Sequence, residues 1–237
     1  MYVDSVNLKS DMCTDVFQSF LDNISLTSEL CQALERSTRG QGSNQNWLKA
    51  RTCLITASVM GEVCRRTTVA PDNLLKKICS YTNVPKYVKS IGYGNANESV
   101  ALAKYMQSHL QTCDDVIVET CGLLVSAKYP FLGASIDGLV TCSKCGTGLV
   151  EIKCPYGSDK SDIHWRNMPP MDCARDKNFF CQILNGKLTL KESHNYMFQI
   201  QGQMAVYELS WVDFVVYTKK DINVERIRFS PTTWEMI

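Results

Sequence analysis

ASIDGLVTCSKCGTGLVEIKCPY, residues 134–156, contains two apolar segments separated by a turn-forming SKCGTG. Asp137 ends the first strand, and Glu151 and Lys153 lie two residues apart in the next. A strand has a period of two, so Glu151 and Lys153 share one face while Val150, Ile152 and Cys154 point to the other. The second face is ordinary core. The first places a carboxylate and an ammonium inside an apolar strand, which burial alone would not select. Pairing the two strands brings Asp137 towards Glu151, and two carboxylates held together repel unless a cation lies between them. Oxygen ligands without a nearby His suit Mg²⁺, with Mn²⁺ as a substitute, better than zinc. The backbone carbonyl of Ile152 is a candidate third oxygen. Such a cation polarises a phosphate and activates water, and Lys153 is placed to position that water and stabilise developing charge. At this level a plain Asp–Lys or Glu–Lys cross-strand pair on a wet sheet face remains an equal alternative.

Outward from this hairpin, the helical period predicts two short helices over 12–36, then Ser58 to Arg65, Pro71 to Tyr81, Gly94 to Leu110 and Asn195 to Leu209. Leu102, Met106 and Leu110 are expected on one face of the Gly94–Leu110 helix, with Glu98 in register with Leu102 and Met106. A carboxylate on an apolar stripe needs a cationic partner, because unpaired burial costs several kcal/mol. Strands are expected at Val116–Glu119, Leu123–Lys128, Leu132–Ile136, Gly138–Thr141, Leu149–Cys154, Phe214–Thr218 and Val224–Phe229. Strands, a helix, then strands again predict an α/β (α+β) fold with a central mixed sheet flanked by helices. The Gly- and Ser-containing RSTRGQGSNQNW segment divides a helical extension, 1–45, from a main domain, 46–237.

The 237 residues suffice for one domain with its own core, and no apolar run approaches the ~18 residues that span a bilayer. No membrane partner is expected. Net charge is +1, but residues 49–104 hold nine basic side chains against three acidic ones. Either a solvated helix face or a local phosphate-attracting surface accounts for that. Neither a G-x-S-x-G elbow nor a P-loop is present, so serine-hydrolase and ATP-driven motor chemistry are unsupported.

The Asp followed by Glu-x-Lys on a hairpin resembles the PD-(D/E)xK nuclease superfamily. The surrounding blocks narrow the resemblance to the lambda-exonuclease, or YqaJ-type viral recombinase, family. They are Trp47 with Arg51-Thr-Cys-Leu-Ile-Thr-Ala-Ser58, Gly94-Asn-Ala-Asn-Glu98, Ser135-Ile-Asp137-Gly-Leu, Leu149-Val-Glu151-Ile-Lys153-Cys-Pro155, and Tyr196-Met-Phe-Gln199-Ile-Gln201 with Met204. They span about residues 47 to 217. The resemblance implies a restriction-endonuclease-like core and metal-dependent hydrolysis of DNA, typically 5′→3′ on one strand of a duplex with free ends, in recombination and repair. By resemblance, Asp137 and Glu151 are metal ligands with Glu98 a further acidic contributor, Lys153 is the catalytic lysine, Gln199 lies beside the scissile phosphate, and Arg51 and Ser58 hold a terminal 5′-phosphate. It also implies a homo-oligomer, a ring-shaped trimer, and a single-strand annealing partner. Endonuclease or RNase action on the same fold, or a catalytically idle DNA-binding module, are the competing readings, since fold does not decide substrate.

Twelve cysteines are the compositional oddity. A chain able to bury a core does not need a disulfide framework, so reduced structural thiols and an intracellular location, nucleus or cytoplasm, are expected; the amino-terminal residues show no basic-then-apolar secretory pattern. The Cys142-Ser-Lys-Cys145 turn has zinc-knuckle spacing, but a tetrahedral zinc needs four ligands and no second C-x-x-C follows. Cys154, Cys173, Cys181 and His194 are the remaining candidates, His109 and His164 read as structural, and no zinc is expected.

Overall fold

The computed structural model describes residues 15, 18, 19, 26–67, 72–79, 88–157 and 164–237. Its helices are α1 (Ser28–Ser37), α2 (Gln45–Ala50), α3 (Ala57–Cys64), α4 (Asp72–Ile78), α5 (Lys89–His109), α6 (Pro170–Cys173), α7 (Asn195–Tyr207) and α8 (Pro231–Met236). The strands are β1 (Ile55–Thr56), β2 (Ile117–Glu119), β3 (Leu123–Val125), β4 (Leu132–Ser135), β5 (Gly138–Cys142), β6 (Gly146–Lys153), β7 (Cys181–Leu184), β8 (Lys187–Leu190), β9 (Trp211–Tyr217) and β10 (Ile222–Arg228). The first of the two helices expected over 12–36 lies largely outside the described residues, as do Pro71 and residues 80–81.

Five strands form a mixed sheet in the order β10-β9-β6-β5-β2; β6 and β9 run parallel and the other neighbours antiparallel. A second sheet orders β1-β4-β3. Consecutive strands β4 and β5 therefore belong to different sheets, and Ile136 and Asp137 make the crossing. Gly138 follows at once because a Cβ there would lie 2.4 Å from Val118 Cγ1 and 2.9 Å from Val150 Cγ1. Only a bare backbone lets β5 start so close to its neighbours.

Helix α7 covers one face of the large sheet, packing Ile200 and Met204 against Leu149, Phe179 and Phe214. Helix α5 covers the other, over Val140, Val150, Ile152, Trp211 and Val215. Each fully buried Leu, Phe or Met contributes about 1.5–3 kcal/mol of transfer free energy. β9 is buried along its whole length and begins earlier than its apolar pattern suggests. Asp213 hides the true start: it lies 2% exposed in a two-pronged ion pair with Arg226, both contacts at 2.8 Å. Arg226 is its register partner on β10, so the charge is satisfied inside the sheet.

α5 starts five residues earlier than the periodicity predicts, running through Gly92 and Gly94. A glycine weakens a helix by about 1 kcal/mol without forbidding it. The buried stripe of α5 is Ala101, Tyr105 and His109, not Leu102, Met106 and Leu110. Leu102 and Met106 flank it and Leu110 is 49% exposed. The β7–β8 hairpin is additional to the expected strands; its turn, Asn185-Gly186, has φ of 50° and 75°, the left-handed pair such a two-residue turn requires. The 28–43 segment packs on the small sheet. Glu35 Oε1 accepts from the Gly122 N–H at 2.8 Å, and Gln41 Nε2 donates to the carbonyls of Cys121 and Ile136 at 3.1 and 2.7 Å.

Candidate active site

Core packing aims the hairpin's polar groups. Val150 and Ile152 are anchored under α5, which turns Glu151 and Lys153 towards α7. Asp137, at the crossing between sheets, accepts the Ile152 N–H on Oδ2 at 2.6 Å. That bond fixes one carboxylate oxygen and leaves Oδ1 with no protein partner among the described residues. Glu151 is 3% exposed. Its Oε1 accepts from Lys153 Nζ at 2.5 Å and from Gln199 Nε2 at 2.6 Å, and its Oε2 accepts from Gln203 Nε2 at 2.7 Å. Lys153 Nζ also lies 4.4 Å from the centre of the Tyr196 ring and 3.5 Å from Gln199 Oε1.

Asp137, Glu151, Lys153 and Tyr196 line one cleft of about 300 Å³, which Glu98 enters from α5 together with Gly94 and Asn95. Among the described residues, three carboxylates thus share one ammonium. Burial first, and then the charges of Glu151 and Glu98, push the Asp137 carboxyl well above its usual range, with Lys153 and the Ile152 N–H opposing. Glu98 stands at the solvent-exposed mouth, and its carboxyl is also raised, by desolvation and then by Glu151. Burial disfavours the Lys153 ammonium, but Glu151, Tyr196 and Asp137 outweigh it and the ammonium is held. Among the described residues the cleft is short of positive charge. Oxygen donors of this kind suit a hard divalent cation. Cys154 in the cleft wall is unfit for it: burial and the charges of Glu98 and Asp137 push its thiol up to about 12.

Arg51 and Ser58 form a second cluster. The Arg51 guanidinium lies 4.1 Å over the Trp47 ring and Nη2 donates to Ser58 Oγ at 3.4 Å. Burial pulls the Arg51 pKa down, and no carboxylate pairs with Arg51 among the described residues. Ser58 is the second residue of α3, not its first as the sequence suggests. Thr56 is the cap, yet its hydroxyl sits 3.1 Å from Ser58 Oγ and caps no N–H. The start of α3 therefore offers backbone donors beside a cation, an arrangement that favours an anion. The two clusters meet at Ser135: its Oγ accepts from Trp47 Nε1 at 2.8 Å, and its carbonyl accepts from Gln203 Nε2 at 2.9 Å.

The structure thus brings Asp137, Glu151, Lys153 and Glu98 into one cleft, with Ile152 in its wall, and Gln199 joins them through its bonds to Glu151 and Lys153. Gln203 is not among the residues that the sequence pattern picks out. It lies one helical turn beyond Gln199 on α7, and that i, i+4 spacing is the signal that finds it. Both its partners, a carboxylate and a carbonyl, are acceptors, which fixes Nε2 as the inward atom. Gln201 faces elsewhere: Nε2 donates to the Arg228 carbonyl at 3.0 Å and Oε1 accepts from the Ser230 N–H at 2.8 Å. α7 can sit this close to α3 because Gly202 lacks a side chain; a Cβ there would be 2.1 Å from Met60 Sδ.

The YqaJ-like viral recombinase domain matches residues 46–210, well over half of the chain. Among solved structures, the alkaline exonuclease LHK-Exo from Laribacter hongkongensis is similar at 24% identity, with 81% of this chain and 87% of that one covered and a TM-score of 0.56. Its complex with dAMP matches at 25% identity over the same shares, with a TM-score of 0.57. A SOX–DNA complex is 13% identical over 88% of this chain and 68% of that one, with a TM-score of 0.57. No curated protein matches the sequence. The large mixed sheet with helices on both faces is of the PD-(D/E)xK type.

Proposed function

Because the chain belongs to the YqaJ-like viral recombinase domain family, we propose that it is a divalent-metal-dependent exonuclease that digests linear duplex DNA. The observation that carries this reading is the convergence of Asp137, Glu151 and Glu98 with Lys153 in one cleft, where burial and the neighbouring carboxylates raise Asp137. Mg²⁺, or Mn²⁺ in its place, fits the oxygen donors of Asp137, Glu151 and the Ile152 carbonyl, with Glu98 as a further contributor. When bound, such a cation polarises the scissile phosphate and acidifies a water.

The chain's own residues supply the rest. The Ile152 N–H orients Asp137 so that Oδ1 faces the cleft. Gln203 locks Oε2 of Glu151, and Gln199 shares Oε1 with Lys153. The Lys153 ammonium, held charged in this setting, orients the attacking water and stabilises negative charge that grows on the phosphate oxygens. Fixing these donors before the substrate arrives means that no reorganisation is needed as charge develops.

The anion-favouring pocket of Arg51, Ser58 and the start of α3 supports an end-directed mode. A terminal phosphate is more negative than an internal diester, so the pocket favours a 5′-phosphate end and 5′→3′ progress, a role suited to recombination and repair. A ring-shaped trimer and a single-strand annealing partner belong to the same reading. The test is an end-labelled duplex incubated with Mg²⁺, beside covalently closed circular DNA and an RNA of the same sequence. Digestion of the linear duplex alone is expected. Cutting of the circle, or preference for the RNA, would replace the exonuclease reading with one of its rivals.

A further inference from the structure

The thiols at the far end of the catalytic hairpin are not scattered core residues. His109, Cys113, Cys142 and Cys145 come together so that one ligand atom from each lies within 4.8 Å of all the others. Cys142 and Cys145 flank the β5–β6 turn, whereas His109 and Cys113 come from the end of α5 and the loop after it. None of Cys154, Cys173, Cys181 and His194, the partners that the sequence offered, belongs to the cluster, whereas His109 does.

Several features of the cluster are those of a metal site. Cys113 Sγ and Cys145 Sγ stand 3.6 Å apart. The Cys145 N–H donates to Cys142 Sγ at 3.4 Å, so the turn is already folded around that sulfur. His109 is 8% exposed, and its Nε2 is buried with no hydrogen-bond partner. An orphaned ring nitrogen in a protein interior is unfavourable unless something binds it. The other nitrogen, Nδ1, lies 3.3 Å from Tyr105 Oη and 3.8 Å from Asp213 Oδ2, and Tyr105 Oη donates to that same oxygen at 2.7 Å. A carboxylate and a phenol at Nδ1 favour the tautomer with its proton there, which leaves the Nε2 lone pair for a metal. Arg226, paired with Asp213, lines the same hollow as His109 and Cys145 and offsets the charge of the thiolates.

We propose that His109, Cys113, Cys142 and Cys145 bind one structural zinc ion through Nε2 and three thiolates. Three sulfurs and one imidazole nitrogen are a closed tetrahedral set, with no position left for water or substrate. Binding releases the three thiol protons to solvent and involves no oxidation. The ion ties the hairpin turn to the end of α5. The ligands escape a reading of the sequence because 29 positions separate Cys113 from Cys142 and only one pair has knuckle spacing.

The test is metal analysis of the full chain purified without chelator, with cobalt as a spectroscopic substitute. One zinc per chain is expected, exchangeable for cobalt with the thiolate charge-transfer and tetrahedral bands of a Cys₃His site. The Cys113→Ser/Cys145→Ser double variant should lose that metal, whereas Asp137→Asn/Glu151→Gln should keep it, which separates this site from the cleft. Zinc-free wild-type protein that takes up no cobalt overturns the proposal even if the cysteine variant fails to fold. So does zinc that survives the cysteine changes, or a non-reducing mass showing Cys113 and Cys145 joined as a disulfide.

Discussion

Gln203 holds Glu151 from behind: its Nε2 donates at 2.7 Å to the carboxylate oxygen that neither Lys153 nor Gln199 touches. The same nitrogen reaches the Ser135 carbonyl, so one buried amide ties α7 to the strand leading into Asp137. Replacing it with leucine leaves a buried carboxylate oxygen without a donor, at a cost of about 2 kcal/mol. Loss of such a supporting contact typically lowers activity roughly tenfold to a hundredfold. Gln203→Leu should therefore lower both the urea midpoint and turnover. Gln201→Leu should lower the midpoint alone, since its bonds go to Arg228 and Ser230. Equal kinetic damage from the two variants would count against Gln203 as a positioning residue.

Without metal, the cleft makes the fold sensitive to pH in a defined direction. Asp137 and Glu98 both bind protons more tightly when folded than when unfolded. Their ionisation therefore favours unfolding, and stability should fall as pH rises from the ordinary carboxylate range through the raised folded values. Thermal melts in EDTA should show this slope. Asp137→Asn should flatten it, melt higher than wild type near neutrality and lose cleavage. Added Mg²⁺ should raise the wild-type Tm most where the carboxylates are ionised and progressively less on acidification. A wild-type Tm that climbs with pH in EDTA would contradict the charge balance of the cleft.

Lys153 is fixed by Glu151 and stacked near Tyr196 before substrate arrives. If its charge is used mainly as the transition state forms, Lys153→Ala should slow single-turnover cleavage by roughly 10²–10³-fold and change DNA affinity by far less. Binding titrations beside single-turnover rates separate the two. An affinity loss matching the rate loss would make it only a phosphate anchor.

Arg51 tests the end-recognition pocket. Wild-type protein should digest a 5′-phosphorylated duplex faster than a 5′-hydroxyl one. Arg51→Ala should lose most of that preference while keeping its Mg²⁺ dependence. Trp47→Phe keeps a ring beneath the guanidinium but removes the donor to Ser135, so it should fall between the two. Equal rates on both ends in the wild type would leave polarity to some other feature.

Much of this site is written in local spacing. Glu151 and Lys153 share a face because a strand alternates, and Asp137 meets them because β5 and β6 pair directly across a short turn. Those relations need only neighbours in sequence. The sequence was silent where tertiary partners override local pattern. Asp213 reads as a strand breaker until Arg226 arrives from the adjacent strand. The buried face of α5 lies one residue out of phase with the apolar pattern, because Ala101 and Tyr105 are small or amphipathic whereas Leu102 and Met106 are conspicuous. Gln203 is an unremarkable polar residue until Ser135 and Glu151 stand in front of it.

α5 has a length constraint of its own. Glu98 and His109 are eleven residues apart, about three turns and roughly 16 Å along the axis, so they face the same side of the rod. The β5–β6 hairpin spans a comparable distance between Asp137 and the Cys142 turn, roughly 17 Å at the rise of a strand. Helix and hairpin are matched rulers with the acids at one end and the thiols at the other. Deleting a single residue between Glu98 and His109 would turn one end by about 100° relative to the other. Substitutions on the exposed side of that span are tolerable, but its residue count is not free to drift.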